Sequence, residues 1–444
     1  MVTLVDLTPR VQTGDRLATL PVVIVGAGPI GLAAAANLVE RGIDFTVLEA
    51  GDRIADSMQA WGHTRLFSPW KHLVDPASAR LLEAEAGWSI PSPERAPSGT
   101  ELVEQYLLPL SRVEAIASRI RTGVEVVAVS REGMDRTRTT GRAAAPFVVR
   151  VRTADGVQEL TARAVIDASG TYRTPNPLGS SGLGLLGLDE VAELVHPALP
   201  DVLGRDRATF AGRHTTVVGA GHSAANTLLG LVQLVREERG TRVTWLIRNA
   251  QAVRVSSSDD DELADRARLG GRVDAAVRRG DIALVDGFEI VRARRAGEGV
   301  ELVGQHGGEL VTHASDLVVN ATGFRPDLDP LREIRLDLDE VVEAPRRLAP
   351  LIDPNLHSCG TVEPHGFAEL RHPEQGFFIV GMKSYGRAPT FLLATGYEQV
   401  RSVTAWLAGD LASASSVELV LPATGVCSTG LSVGDAAGAG SCCG

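Results

Sequence analysis

Three glycines constrain this chain more than any other feature. In "LPVVIVGAGPIGLAAAANLVERGIDFTVLEA", Gly26, Gly28 and Gly31 follow the spacing G-x-G-x-x-G. The short β-branched run Val22 to Val25 before them suits a central parallel strand. The stretch after them predicts a helix through Val39, with Pro29 and Ile30 in its first turn, where a missing N–H is tolerated. "DFTVLEA" then predicts a second strand ending in Glu49. Gly26 permits the tight turn, Gly28 lets a pyrophosphate reach the backbone, and Gly31 lets helix and strand pack closely. The helix N-terminus offers unpaired N–H groups and partial positive charge to phosphates. Glu49 is placed to accept hydrogen bonds from ribose hydroxyls.

The same cluster could be mistaken for a membrane span, because Leu20 to Val39 carries no charge. Gly26, Gly28, Pro29 and Gly31 would break such a helix in mid-span, so a buried strand and a buried helix are expected instead. No secretory signal is read in "MVTLVDLTPRVQTGDRL", which has acids where an apolar region should run. A formal net charge of −11 and 4% aromatic residues argue against nucleic acid or an anionic membrane as partner. Four cysteines in 444 residues make no disulfide scaffold, and a cytoplasmic location is expected.

The pattern returns in "HTTVVGAGHSAANTLLGLVQL", with Gly219, Gly221 and Ala224 at the three positions and His222 and Ser223 opening the helix. The following strand, "RVTWLIRN", ends in Arg248 where the first unit has an acid. A guanidinium there binds a 2′-phosphate that a carboxylate would repel. The contrast predicts FAD at the first site and NADPH at the second. Arg254 is a second candidate for the same phosphate. Two apolar strands run into small-residue turns, "RAVIDASGTYRTPN" with Gly170 and "SDLVVNATGFRPD".

With these motifs in place, residues from about 20 to 408 resemble the flavoproteins with two dinucleotide-binding domains. That group includes thioredoxin and glutathione reductases and the flavin-containing monooxygenases. The resemblance implies an α/β fold of two Rossmann-like domains, the NADPH domain inserted into the FAD domain. The expected boundaries are 18–180 and 319–410 for the FAD domain, 190–318 for the NADPH domain, and 411–444 for a flexible, cysteine-containing tail. Ser98 and Glu101 in "SGTELVEQYLLPL" match a capping box. By resemblance, backbone near Val126 would touch adenine, and a final helix in "PTFLLATGYEQVRSVTAWLAG" would face the flavin. Gly381 would sit at the ribityl chain, with Met382 standing where the reductases carry an acid.

The disulfide reductases place a redox cysteine pair against the flavin, and none of the four cysteines fits that position. "DRIADSMQAWGHTRLFSPWKHL" resembles the monooxygenases instead, which carry a Trp shortly after the ribose-binding acid, here Trp61. Their flavin, reduced by NADPH, activates oxygen in a dry pocket. Trp61, His63, Arg65, Trp70 and His72 are the candidate flavin contacts. The monooxygenases' "F-x-G-x-x-x-H" is not reproduced, since Phe210 and Gly212 are followed by a displaced His214. The expected function is an NADPH-dependent FAD monooxygenase acting on a small-molecule substrate at a soft heteroatom (sulfur, nitrogen or arsenic). A reductase passing electrons to a thiol-bound metal or metalloid is one alternative. A flavin-containing metal-binding or redox-sensing protein is another, and a homodimer is left open.

The chain stops at "GAGSCCG". Adjacent Cα atoms lie about 3.8 Å apart, too close for a relaxed disulfide, so Cys442 and Cys443 are read with Cys427 as candidate ligands for arsenite or another thiophilic ion. The ending resembles the vicinal pair that closes mercuric reductases, and flavoproteins of this kind also occur beside arsenic-resistance genes. An unselected tail is the competing reading. "HSCGTVEPHG", with His357, Cys359 and His365, matches no metal-site spacing and is expected to be a loop.

Overall fold

The computed structural model describes residues 17–249, 264–353, 364–389 and 391–419. They form two compact units. The first takes residues up to 176 and resumes at 324, and the second takes 177–323.

The first unit begins with β1 (Val22–Val25), helix α1 (Pro29–Glu40) and β2 (Phe45–Leu48). Helix α2 (Pro76–Ala86) follows, then β3 (Ile120–Arg121), β4 (Glu125–Arg131), β5 (Phe147–Thr153), β6 (Gly156–Ala162) and β7 (Ala164–Asp167). The second unit holds β8 (Val195–Pro197), β9 (His214–Val218), α3 (His222–Glu237), β10 (Arg242–Leu246) and α4 (Ala264–Arg279). It continues with β11 (Ala283–Val285), β12 (Glu289–Ala296), β13 (Gly299–His306), β14 (Glu309–Ser315) and β15 (Leu317–Asn320). The first unit then regains β16 (Phe377–Ile379), α5 (Leu393–Leu407) and α6 (Leu411–Ser415).

Each unit pairs a five-stranded parallel sheet with a three-stranded antiparallel one. The parallel orders are β16-β7-β1-β2-β3 and β8-β15-β9-β10-β11, so the glycine-bearing strand is central in both. Alternation along β1 divides the first unit into layers, because successive side chains face opposite sides of a sheet. Val22 and Ile24 pack with α1, α2 and α5, whereas Val23 packs with Phe147, Val149 and Val151 of the meander β4-β5-β6. In the second unit Val218, Leu246 and Val318 meet Ile290, Val300 and Leu302 of β12-β13-β14.

Several sequence expectations are redrawn. Ahead of the second glycine turn, two elements that the sequence reading did not place are the edge strand β8, which hydrogen-bonds β15, and a short helix, Arg207–Phe210. The expected flexible tail does not begin at 411. Asp410 caps α6 through the Ser413 amide (3.1 Å), Ser402 Oγ donates to the Ala414 carbonyl (2.6 Å), and the Arg401 guanidinium donates to the Ser413 carbonyl (2.8 Å). Cys359, Cys427, Cys442, Cys443, His357 and Arg254 lie outside the described residues. No helix among the described residues is long and apolar enough to cross a membrane.

Two buried polar clusters stiffen the first unit. Glu374 receives Arg131 at 2.8 Å and Arg142 at 2.7 Å, tying the meander to the turn before β16. Asp75 caps α2 by accepting from the Ser78 amide (2.8 Å) and hydroxyl (2.9 Å), with Asn37 Nδ2 at 3.3 Å. Burial pushes its carboxyl up to about 6.

Candidate active site

The first crevice lies at the carboxyl ends of β1 and β7. Gly26 has φ +99°, and a Cβ there would stand 2.8 Å from the Ala168 carbonyl. A Cβ on Gly31 would stand 1.9 Å from the Gly26 carbonyl, which is why the third position must be small. Gly28 differs, since nothing lies within 4 Å of the place its Cβ would occupy. It is the N-cap of α1, with no side-chain cap and no acid in the first turn. The result is an open floor under uncapped helix amides, which fits an anionic group.

Glu49 does more than the sequence reading foresaw. Its carboxylate is buried, Oε2 accepting from the Ala27 amide (2.8 Å) and Oε1 from the Gly51 amide (2.8 Å). It fastens the glycine turn to the end of β2, and each oxygen keeps lone-pair capacity for a hydroxyl donor. Val126 sits at a bulge in β4, where pairing with β5 shifts register.

Gly381 (φ +70°) packs on Ile30, 3.0 Å from where its Cβ would lie, and its amide donates to Gln399 Oε1 at 2.7 Å. Gly396 in α5 presses on the same Ile30 side chain, so α5 is held against the first turn of α1. Met382 is half-buried, and the charged group of this loop is its neighbour Lys383, 4% exposed. Lys383 Nζ donates to Asp167 Oδ2 at 2.7 Å and to Ser169 Oγ at 3.1 Å. Asp167, Lys383 and Gln399 were not singled out from sequence. The only signal was a lysine directly after an apolar strand. Gly170, also with positive φ (+70°), has open space beside it.

The aromatic and basic candidates separate. Trp61 packs on the unit-one core and against Gly99. Trp70 is fully buried, its indole N–H without a partner among the described residues. His63 is exposed and His72 half-buried. Arg65 donates to the Ala96 carbonyl and lies 3.8 Å from Glu101, within the capping box formed by Ser98 and Glu101.

The second unit repeats the crevice. Gly219 has φ +129°, a Cβ there would stand 2.1 Å from the Ala321 carbonyl, and the space beside Gly221 is open. Ala224 is fully buried under the turn, and Trp245 Nε1 donates to the Gly219 carbonyl at 2.7 Å. Gly221 caps α3 without a side-chain bond, and His222 and Ser223 are half-buried in its first turn. The exposed Arg248 donates from Nη1 to the Ser180 carbonyl at 3.0 Å. It borders a cavity of about 480 Å3 with Ser180, Ser181, Asn249 and Glu289. The displaced His214 is built into β9, its Nε2 2.8 Å from Thr244 Oγ1, and burial lowers its pKa.

Residues 23–358 match the family described as pyridine nucleotide-disulphide oxidoreductase. The chain belongs to that family. It is 29% identical over 229 residues to the indole-3-pyruvate monooxygenase YUCCA1 of Oryza sativa subsp. japonica, a match covering 51% of this chain and 47% of the relative. The chain thus spans about half the length of that curated relative. Among solved structures, it resembles the bacillithiol disulfide reductase of Bacillus cereus with a TM-score of 0.65 and 21% identity, over 88% of this chain and 99% of the other. It also resembles a flavin-containing monooxygenase of Stenotrophomonas maltophilia with a TM-score of 0.55 and 24% identity, over 87% and 99%. Both likenesses establish the fold of two Rossmann-like domains. The family takes its name partly from a disulphide, yet residues 23–358 of this member contain no cysteine.

Proposed function

We propose that this protein is an NADPH- and FAD-dependent monooxygenase acting at a soft heteroatom of a small molecule. The observation that carries the reading is the lack of any cysteine across the family-matched residues, beside two glycine turns that leave open space at helix N-termini. A disulfide reductase needs a thiol pair to receive the electrons, whereas an oxygenase needs none. In the balanced reaction NADPH, a proton, dioxygen and the substrate give NADP+, water and a substrate bearing one oxygen atom. Bound FAD would supply the redox chemistry that passes the electron pair from NADPH to dioxygen.

The chain's own residues supply binding and orientation. Gly28 and the first-turn amides of α1 would hold the FAD pyrophosphate, and Glu49 the adenosine ribose. Gly221, Ser223 and the amides of α3 would hold the NADPH pyrophosphate. Arg248, already tethered to the Ser180 carbonyl, would face the 2′-phosphate at the cavity it borders. Gly381 and Gly396, both packed on Ile30, hold α5 against the first turn of α1. A reducing cytoplasm stocked with NADPH suits this chemistry.

The test is NADPH oxidation by purified protein under isotopically labelled oxygen, with a panel of sulfides, amines and arsenicals. One labelled oxygen atom per product is expected. NADPH oxidation only in the presence of a disulfide or a thiol-bound metal ion, with no labelled product, would assign a reductase instead. Bound flavin with no NADPH oxidation under any condition would assign a binding or sensing protein.

A further inference from the structure

Both units build the same turn beside the glycine strand and treat its charge differently. Asp167 closes β7, and its Oδ1 accepts from the Ser169 amide (3.1 Å) and hydroxyl (2.6 Å). Asn320 closes β15, and its Oδ1 accepts from the Thr322 amide (3.2 Å) and hydroxyl (2.7 Å). The second unit therefore shows that a neutral amide suffices for the turn. The second oxygen of Asp167 is surplus to it, and that oxygen is the one that holds Lys383 at 2.7 Å. Asp167 is 2% exposed and Lys383 4%. A buried ion pair is weak evidence for stability, because well-packed apolar residues fill the same space as well or better.

The choice of residue is equally pointed. Of 44 basic residues, only Lys71 and Lys383 are lysines. A chain that uses arginine almost throughout places a compact ammonium, Lys383, in a buried position beside the crevice. Asp167 and Ser169 take two of its three N–H donors among the described residues. Its surroundings border the site. Ser169 is exposed, its Cα 3.0 Å from where a Cβ on Gly26 would lie, and Gly381 packs on Ile30 of the first turn of α1. Ligands of open parallel sheets bind outside the carboxyl ends of such strands.

We infer that Lys383 is a flavin-nucleotide-binding residue: with Asp167 holding it in place, its third N–H is donated to an oxygen of bound FAD. The inference rests on the reading of the first crevice as the FAD site. The acceptor is an oxygen of the pyrophosphate or of the flavin half, and both are compatible with a fixed cation at this end of the sheet.

The decisive variant carries Asp167→Asn and Lys383→Met together, which gives the first unit the turn that the second unit already folds with. Its apoprotein should melt close to wild type while FAD binds about tenfold or more weakly, the loss of one charge-assisted hydrogen bond. A parallel loss for ADP places the contact at the pyrophosphate, and a loss for riboflavin with ADP unchanged places it on the flavin half. Labelling wild type with 15N-lysine provides a measurement independent of any variant, since only two ammonium signals exist. FAD should shift the Lys383 signal and leave that of Lys71 in place. Unchanged FAD affinity in the double variant, or an unmoved Lys383 signal at saturating FAD, overturns the inference. Wild-type protein that binds no FAD overturns the crevice reading itself.

Discussion

Gly28 and Gly31 lie three residues apart in one turn, and substituting each should fail in a different way. Gly28 is an N-cap with φ −80° and ψ −173°, extended backbone that any residue adopts. With nothing within 4 Å of its added Cβ, Gly28→Val should cost the apoprotein at most about 1 kcal/mol through the poorer cap. Its side chain would fill the floor where a pyrophosphate meets the helix amides. Losing two charge-assisted bonds of roughly 1.5–3 kcal/mol each weakens FAD binding by about two to four orders of magnitude. Gly31→Ala meets the opposite situation. A contact of 1.9 Å with the Gly26 carbonyl must relax to at least 3.4 Å, so α1 has to move off β1. Overpacking against rigid backbone costs about 1–3 kcal/mol or more, and that loss should be visible without any ligand. The assay is paired: chemical denaturation of apoprotein, and flavin content by absorbance after reconstitution. Gly28→Val that keeps stoichiometric FAD, or Gly31→Ala apoprotein as stable as wild type, would refute the assignment of roles within the turn.

Other expectations concern separate parts of the molecule. Arg248→Ala should raise the Michaelis constant for NADPH by roughly 30-fold, about 2 kcal/mol, and barely alter that for NADH. Equal effects would remove Arg248 from the 2′-phosphate. Asp75 holds its proton more tightly in the folded protein, since burial raises its pKa from 3.8 to about 6. Its contribution to stability is therefore full below about pH 4 and lost as the pH rises through about 6, a span of about 3 kcal/mol. Asp75→Asn keeps a capping oxygen and should flatten the melting temperature across that window while raising it at neutral pH; an unaltered slope would show that Asp75 is not its source. A chain ending at Leu419 should melt like wild type, whereas one ending at Asp410 loses α6 and its bonds to Arg401 and Ser402. Equal melting of the two would deny α6 a structural part. The Leu419 chain lacks Cys427, Cys442 and Cys443, so unchanged arsenite affinity in it would exclude these thiols as ligands.

The two glycine turns were legible because each depends on local rules: a positive φ at Gly26 and Gly219, an open floor at Gly28 and Gly221, and close packing at Gly31 and Ala224. The capping box of Ser98 and Glu101 was legible for the same reason, with both partners inside one turn. What stayed hidden depends on partners far apart in the chain. Nothing in the periodicity near Asp167 announces Lys383, and nothing near Glu374 announces Arg131 and Arg142. Strand β8 was missed because three residues, one of them proline, carry too little pattern, and its place is set by β15. No role was read for residues 179–185, although Ser180 anchors Arg248 and lines the cavity. The cap on α6 went unread because the tail's small residues masked the contacts that α5 offers them.

The two passages between the units run side by side. Pro175 bridges Phe324, the Arg325 amide donates to the Thr174 carbonyl at 3.0 Å, and the rings of Tyr172 and Phe324 lie 5.2 Å apart. On a ribosome, the first unit is left without β16, Lys383 and α5 until the whole inserted unit has emerged. If that insert has already folded, the far ends of the first unit are joined by a compact clasp, and joining them costs far less entropy than closing a long slack loop. The order of synthesis then favours completing the inserted unit first, and the crevice of the first unit is among the last features the nascent protein acquires.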